Sequence, residues 1–485
     1  MLFLRDARFA AADERHDILL RGGRIAAVAP RGTLEAPGVR VVDLDGRFVM
    51  PGLWDEHVHF TQWVIQHRRL DLSGTASAAE VLARVRTHLA GTPGPLTGYG
   101  FRDGLWPDAP TLAGLDAVAP ATPVVLISGD LHCAWLNSPA AAMLGATVDA
   151  SGVLREGPWF AASRDLRAGR LITADDFREA ALAAAARGVV GIVDFENTDN
   201  IAEWPARVAA GVTALRVEVS VWPDRLDAAI AAGLRTGAPL DPSGLITMGR
   251  LKVVVDGSLN TRTALCWDPY PGLDPAHPDA CGTAIVRPER LRELLAHAHA
   301  HGIAAAVHAI GDRANTEVLD TFEALSIPGT VEHAQLVRDP DVARFAALGL
   351  IASVQPEHAM DDRDIADRHW AGRTGAAFAY GSLHRAGVAL RLGSDAPVAP
   401  LDPWLAIASA TSRSRGDREP WHPEQRLSLP TALAASTRGR TGVTLGDPAD
   451  LVVLDRDPAA ATRDELRAMP VAATLVAGGF TWANL

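Results

Sequence analysis

The sequence predicts an α/β fold, a (β/α)₈ barrel carrying a small β-sandwich domain built from both chain ends. Three observations lead there. Between His57 and about residue 397, short apolar runs alternate with amphipathic helical stretches, and this switching between periods of 2 and 3.6 residues marks βα units around a parallel sheet. Counting the run that leads into His57 there are eight such strands, enough to close a barrel. The two ends of the chain read instead as strands joined by turns.

Taken in order, residues 1–50 hold the strand-like runs "MLFLRDARFA", "HDILLRG" and "GRIAAVAP" around Gly22-Gly23, then "VRVVDLDG" and "RFVMPGL" around Asp45-Gly46. The first barrel strand enters His57. Residues 60–180 form a long connection to the second strand, with helices such as "SAAEVLARVRTHLAG" and one strand-like run, "PVVLISGD" (123–130), outside the count of eight. Its length suits a subdomain over the barrel mouth. An alanine-rich helix near 180–186 reads as a surface helix. The remaining strands are "VVGIVDFE" (189–196), "LRVEVSVW" (215–222), "LKVVVDG" (251–257), "IAAAVHAIGD" (303–312), "GTVEHAQ" (329–335), "LIASVQPEH" (350–358) and "VALRLGSDAP" (388–397). After Gly442 strands return in "ADLVVLDRD" and "VAATLVAGGFTW". The expected domains are therefore 1–50 with 442–485, and a barrel over 51–441.

Composition narrows the function. Hydrophobic residues make up 48% and charged residues 21%, as in a folded soluble protein with a large core. The net charge of −12 comes from 46 basic and 58 acidic side chains spread along the chain, with no basic block to neutralise a phosphate backbone. Nucleic acid is not an expected partner. Three cysteines without metal-type spacing, Cys133, Cys266 and Cys281, suit a reducing compartment. With no apolar leader before Arg5 and Asp6 and no run of 18 apolar residues, neither a signal peptide nor a membrane span is expected. A cytoplasmic protein acting on a small molecule is the expectation; a homodimer is compatible with it, and no residue marks the interface.

The motif "LWDEHVHF" carries the first chemistry. Sixteen histidines in 485 residues give roughly half of one His-x-His pair by chance, so context decides. On a strand, residues two apart share a face, so His57 and His59 point the same way; on a helix they diverge by about 200°. That separates "LLAHAHAHGI": its helical pattern and Gly stop keep His297 and His299 from converging on one ion and make them a solvated helix end. Lys252, His308, His333 and Asp395 sit at other strand ends, where barrels build their sites. A buried lysine or aspartate is costly unless paired or bound to a cation. Each has a structural alternative when taken singly; their joint appearance on strands 1, 4, 5, 6 and 8 points to a site.

These stretches, "VMPGLWDEHVHF", "KVVVDGS", "VHAIGDRA", "VEHAQ" and "GSDAPV", together with the split β module, resemble the metal-dependent amidohydrolase superfamily, in particular its amidohydrolase 3, or YtcJ-like, branch. "DLHCAWLNS", "DGSLNTRTA" and "GDPADLVVLDRDP" are similar to further markers of that branch, although Asn260 stands where its "DGSLG" form has glycine. The resemblance implies that His57, His59 and Asp395 bind one metal, that His308 and His333 bind a second, and that Lys252 bridges them as a carbamate formed with CO₂. Some superfamily members use one ion and no modified lysine.

An imidazole and carboxylate set favours Zn²⁺ among divalent metals, one or two per chain. A bound ion makes hydroxide available at neutral pH and polarises a carbonyl, and Asp395 could act as base and then acid. The expected activity is hydrolysis of a C–N bond in an amide, N-formyl or cyclic amide. The alternatives are a single-metal aminohydrolase that deaminates a heterocycle, and a non-catalytic scaffold on the same fold, against which all six candidate ligands argue. Candidate substrate contacts are His132 and Arg262. Asp312 is a candidate carboxylate for orienting His308, and Gln355, Glu357 and His358 are candidates to line the pocket after strand 7.

Overall fold

The computed structural model describes all residues except 12, 68, 93, 102, 104–105, 129–132, 156–157, 160 and 163–171. They divide into two compact units, one of residues 1–63 with 177–485 and one of residues 64–176.

The larger unit holds eight parallel strands hydrogen-bonded in chain order: β1 (Leu53–Val58), β2 (Val189–Asp194), β3 (Arg216–Val221), β4 (Ile246–Val254), β5 (Ala305–Ala309), β6 (Gly329–His333), β7 (Ile351–Val354) and β8 (Ala389–Leu392). Valine, isoleucine and alanine dominate them, as strands covered on both faces require. The barrel closes where the chain leaving β8 meets β1. There the Asp395 N–H donates to the His57 carbonyl at 2.7 Å, the His59 N–H donates to the Ala396 carbonyl at 2.8 Å, and Val58 bridges Ala396 in parallel. Only glycine fits at 393: a Cβ there would lie 2.7 Å from the His57 nitrogen.

Both chain ends join one sheet in this unit, in the order Gly479–Ala483, Val471–Val476, Leu451–Leu454, Phe48–Pro51, Leu2–Arg8, Arg15–Arg21, Arg24–Pro30, with Arg40–Asp43 pairing beside Leu2–Arg8. Leu4, Ile18, Leu20, Val49, Leu451 and Leu475 form its core. Arg216 of β3 ties this sheet to the barrel through a two-pronged pair with Asp450, at 2.7 and 3.1 Å. The alanine-rich helix, Ala174–Ala185, is not simply a surface helix. Ala180, Ala181, Ala184 and Ala185 are buried, and small side chains let that face pack closely while Leu182 faces out.

The smaller unit has its own five-stranded sheet, in the order Val153–Arg155, Cys133–Leu136, Val124–Ser128, Leu96–Phe101, Leu70–Asp71. The run at 123–130, outside the barrel count, supplies its central strand. Ser77, Thr111 and Asn137 cap helices of this unit, each side chain accepting a backbone N–H two or three residues into the helix.

Arg250 lies two residues before Lys252 on β4 and so shares its face. It pairs with Glu218 at 2.6 Å, while Arg438 spans Glu56 at 2.6 Å and Glu218 at 3.0 Å and stacks 3.5 Å over the Trp54 ring. Glu56 and Glu218 are buried. Replacing Arg438 with Met leaves both carboxylates short of a partner, and we expect it to lower stability by about 2 kcal/mol, less than for a fully buried pair because Arg438 is partly exposed. Thermal denaturation beside the parent protein measures this.

Candidate metal centre

The six candidate ligands meet at the carboxyl end of the barrel. They line one cavity of about 540 Å³ with Trp222, Val254, Ser258, Leu259, Asn260, Ile310, Gln335, His358, Asp362, Ile365 and Val398. His57, His333 and Asp395 are the tightest group, offering ligand atoms within 4.8 Å of one another. His59 Nε2 is 3.4 Å and His57 Nε2 3.6 Å from Asp395 Oδ1. Lys252 Nζ is 3.3 Å from His57 Nε2 and lies over the Phe195 ring at 4.2 Å. The His308 and His333 rings are 4.4 Å apart. The helical triplet stays apart: His297 pairs with Asp227 at 2.8 Å on the surface.

Backbone conformation aims two of these groups. His333 (φ 72°), Ala334 (φ 43°) and Asp395 (φ 58°) are left-handed, a region costly for residues with a Cβ and concentrated at functional sites. The chain thereby leaves β6 and β8 with these side chains turned into the cavity.

Charge prepares the donors. Burial, reinforced by the Lys252 cation, holds the His57 imidazole far below its ordinary value and brings His308 down to about 4. Burial and the neighbouring His308 do the same to His333. All three are therefore neutral at physiological pH, the form that ligates metal. Burial also lowers Lys252 to about 8, against the pull of Glu332 and Asp395. For Asp395, burial is outweighed by the adjacent His57 and the His59 hydrogen bond, which hold its carboxyl well below the usual range. His59 is raised: burial opposes this, but the hydrogen bond to Asp395 and its charge prevail.

Two carboxylates beside the site escaped the sequence reading. Glu332, adjacent to His333, is buried and takes the His57 Nδ1–H at 2.8 Å, its other oxygen accepting from Thr330 at 2.7 Å. That fixes the His57 tautomer with Nε2 toward the cavity. Asp256, four residues past Lys252, receives the backbone N–H groups of Leu265, Ile310 and Gly311 at 2.8, 3.0 and 2.9 Å and lies 3.5 Å from His308 Nε2. Burial pushes its carboxyl up to about 7, tempered by those three donors. Asp312 is not near His308 in this way; it accepts the Trp267 N–H at 3.0 Å and faces Arg373.

The proposed substrate contacts fare differently. His132 lies outside the described residues. Arg262 is exposed with φ 57° and does not line the cavity; Ser258, Leu259 and Asn260 of the same loop do. Of the three residues after β7, His358 lines the cavity, whereas Glu357 is held by Arg467 at 2.6 Å and Arg415 at 3.0 Å, and Gln355 is buried with its Oε1 unpartnered. Cys133 and Cys266 are buried, and burial pushes the Cys266 thiol up to about 11, so neither offers a nucleophile.

The residues present fit a divalent ion. His333 Nδ1 is a buried polar atom without a hydrogen-bond partner, a costly condition that a metal would relieve, and it stands among neutral imidazoles and an ionised carboxylate. The amidohydrolase family model matches residues 40–481. This chain belongs to the amidohydrolase family. Protein LONG AFTER FAR-RED 3 of Arabidopsis thaliana is 29% identical, covering 90% of this chain and 81% of its own. Putative amidohydrolase YtcJ of Bacillus subtilis (strain 168) is 26% identical over 91% and 90%, and the N-substituted formamide deformylase of Arthrobacter pascens 28% over 98% and 95%. An uncharacterized metal-dependent hydrolase from Pyrococcus horikoshii OT3 superposes with a TM-score of 0.76 at 26% identity, over 96% of this chain and 99% of that one. The YtcJ-like resemblance and the barrel are borne out. This amidohydrolase is a metal-dependent enzyme that hydrolyses carbon–nitrogen bonds other than peptide bonds, acting on a small molecule. No helix among its described residues is long and apolar enough to cross a membrane.

Replacing Glu332 with Leu removes the acceptor that orients His57, and we expect metal retention to weaken by about 10–100-fold. Elemental analysis after graded chelator challenge measures it.

Proposed function

We propose that the enzyme hydrolyses an amide, N-formyl or cyclic amide, with Zn²⁺ held by His57, His59 and Asp395, a second ion at His308 and His333, and a CO₂-derived carbamate on Lys252 between them. The observation that carries this reading is the convergence of neutral imidazoles and ionised Asp395 around a buried, unpartnered His333 nitrogen. The likeness to an N-substituted formamide deformylase over 95% of that protein's length supports an N-formyl substrate. Three cysteines free of disulfides fit a cytoplasmic setting.

When bound, the metal supplies an acidic water and Lewis acidity toward the carbonyl. Asp395 takes a proton from the attacking water as its oxygen bonds to the carbonyl carbon. It then returns that proton to the nitrogen as the C–N bond breaks, giving a carboxylic acid and an amine. Glu332 keeps His57 in one tautomer throughout. Trp222, Leu259, Ile310, Ile365 and Val398 provide an apolar wall for the substituent. We expect Asp395→Ala to lower kcat for an N-alkylformamide by at least about 10³-fold with the fold intact by circular dichroism; retained turnover would remove its role as base and acid.

Lys252 at about 8 is poised for carbamate formation, because only the neutral amine attacks CO₂ and its population rises as pH passes upward through that value. At equal dissolved CO₂, reactivation of chelator-stripped enzyme by metal is therefore expected to be faster at pH 8.5 than at 6.5. ¹³C-bicarbonate should leave a protein-bound carbamate resonance that Lys252→Arg lacks.

The compactness of His57, His333 and Asp395 favours a second reading, a single-ion aminohydrolase with unmodified Lys252. Release of ammonia from an amino-substituted heterocycle, with formamides untouched, would select it.

A further inference from the structure

Several polar side chains line the cavity outside the proposed ligand set, His358 among them. His358 follows β7 in the helix Pro356–Asp361; it is 5% exposed, and its Nε2 has no hydrogen-bond partner. That nitrogen lies 3.9 Å from Asp395 Oδ2, while the other oxygen, Oδ1, faces His57 and His59. The ring is nearly parallel to His333, 13° between planes at 6.2 Å.

The mount is rigid. Adjacent Glu357 is clamped by Arg467 and Arg415, and Pro356 begins the helix. A buried nitrogen without a partner is costly, and here it opens onto the oxygen of Asp395 turned away from the His57 and His59 pair. In the hydrolysis proposed above, that oxygen is the one free to deliver the proton to the departing nitrogen, and a nitrogen within reach of it is also within reach of His358 Nε2, 3.9 Å away.

We propose that His358 Nε2 accepts the N–H of a secondary amide, making that N–H a recognition element and turning the nitrogen lone pair toward Asp395. His358 gains and loses no proton in this role; the proton taken from water still travels through Asp395 to the nitrogen. The substrate class is thereby narrowed to amides that carry one N–H, as opposed to N,N-disubstituted amides. The assignment rests on the amide reading of the site.

Two near-isosteric variants test it, His358→Gln, which keeps an acceptor near the Nε2 position, and His358→Met, which lacks a comparable one. Kinetics of the metal-loaded enzyme with N-butylformamide and N-butyl-N-methylformamide give kcat/KM for each. Calorimetry with the non-hydrolysed N-butylmethanesulfonamide and its N-methyl counterpart reads binding without turnover. One hydrogen bond corresponds to a preference for the N–H member of each pair on the order of tenfold in the parent enzyme. That preference should survive in His358→Gln and vanish in His358→Met, with metal content equal in all three. An equal preference in parent and His358→Met, or a loss of activity uniform across both formamides, would overturn the assignment. If the parent turns over neither formamide, the amide reading fails, and the sulfonamide pair still decides whether His358 reads an N–H.

Discussion

The Asp395 N–H bonded to the His57 carbonyl at 2.7 Å closes the barrel and assembles the site in the same step. His57 and Asp395 lie near opposite ends of the barrel sequence, and nothing local brings them together. The seam depends on Gly393, where any Cβ would press on the His57 nitrogen, and on Asp55, whose carboxylate accepts the Ser394 N–H at 2.8 Å and the His57 N–H at 3.2 Å. His59 and the left-handed turn at Asp395 follow from it. Binding geometry in this protein is a consequence of barrel closure, so closure and metal affinity should be thermodynamically linked.

Electrostatics is arranged in layers along the barrel. Beneath the cavity, Arg250, Arg438, Glu56 and Glu218 neutralise one another through hydrogen-bonded pairs. Above them, Lys252 is buried among imidazoles, with Glu332 and Asp395 as the opposing charges. A cation in that setting is destabilised by lost solvation, and the same loss raises the share of neutral amine. Carboxylation would replace that cation with an anion beside donors that favour a metal. The left-handed conformations of His333 and Asp395 cost energy in the same region and turn both side chains into the cavity.

Much of this was legible in the sequence because strand geometry is simple. Period 2 places His57 and His59 on one face, and barrel architecture places residues at the ends of β4, β5, β6 and β8 around one cavity. What could not be read is which side chain faces which across the barrel. Glu332 adjoins His333 in sequence, yet its carboxylate serves His57 on β1; Asp256 follows β4, yet it gathers the N–H groups of Leu265 nine residues on and of Ile310 and Gly311 after β5. Asp312, placed four residues after His308 by sequence, starts its helix pointing away. Arg262 was expected at the pocket because it lies on the loop after strand 4, and that loop instead turns Ser258, Leu259 and Asn260 inward. The run at 123–130 read as a strand because Val124–Ser128 is one, but of a separate sheet, an assignment that pairing alone decides.

The most direct test is metal content per chain by elemental analysis of protein purified without chelator, compared between the parent and Lys252→Ala. A closed seam with Lys252 bridging predicts about two ions per chain in the parent and fewer in the variant. Absence of metal from the parent, or one ion unaffected by the substitution, would contradict it.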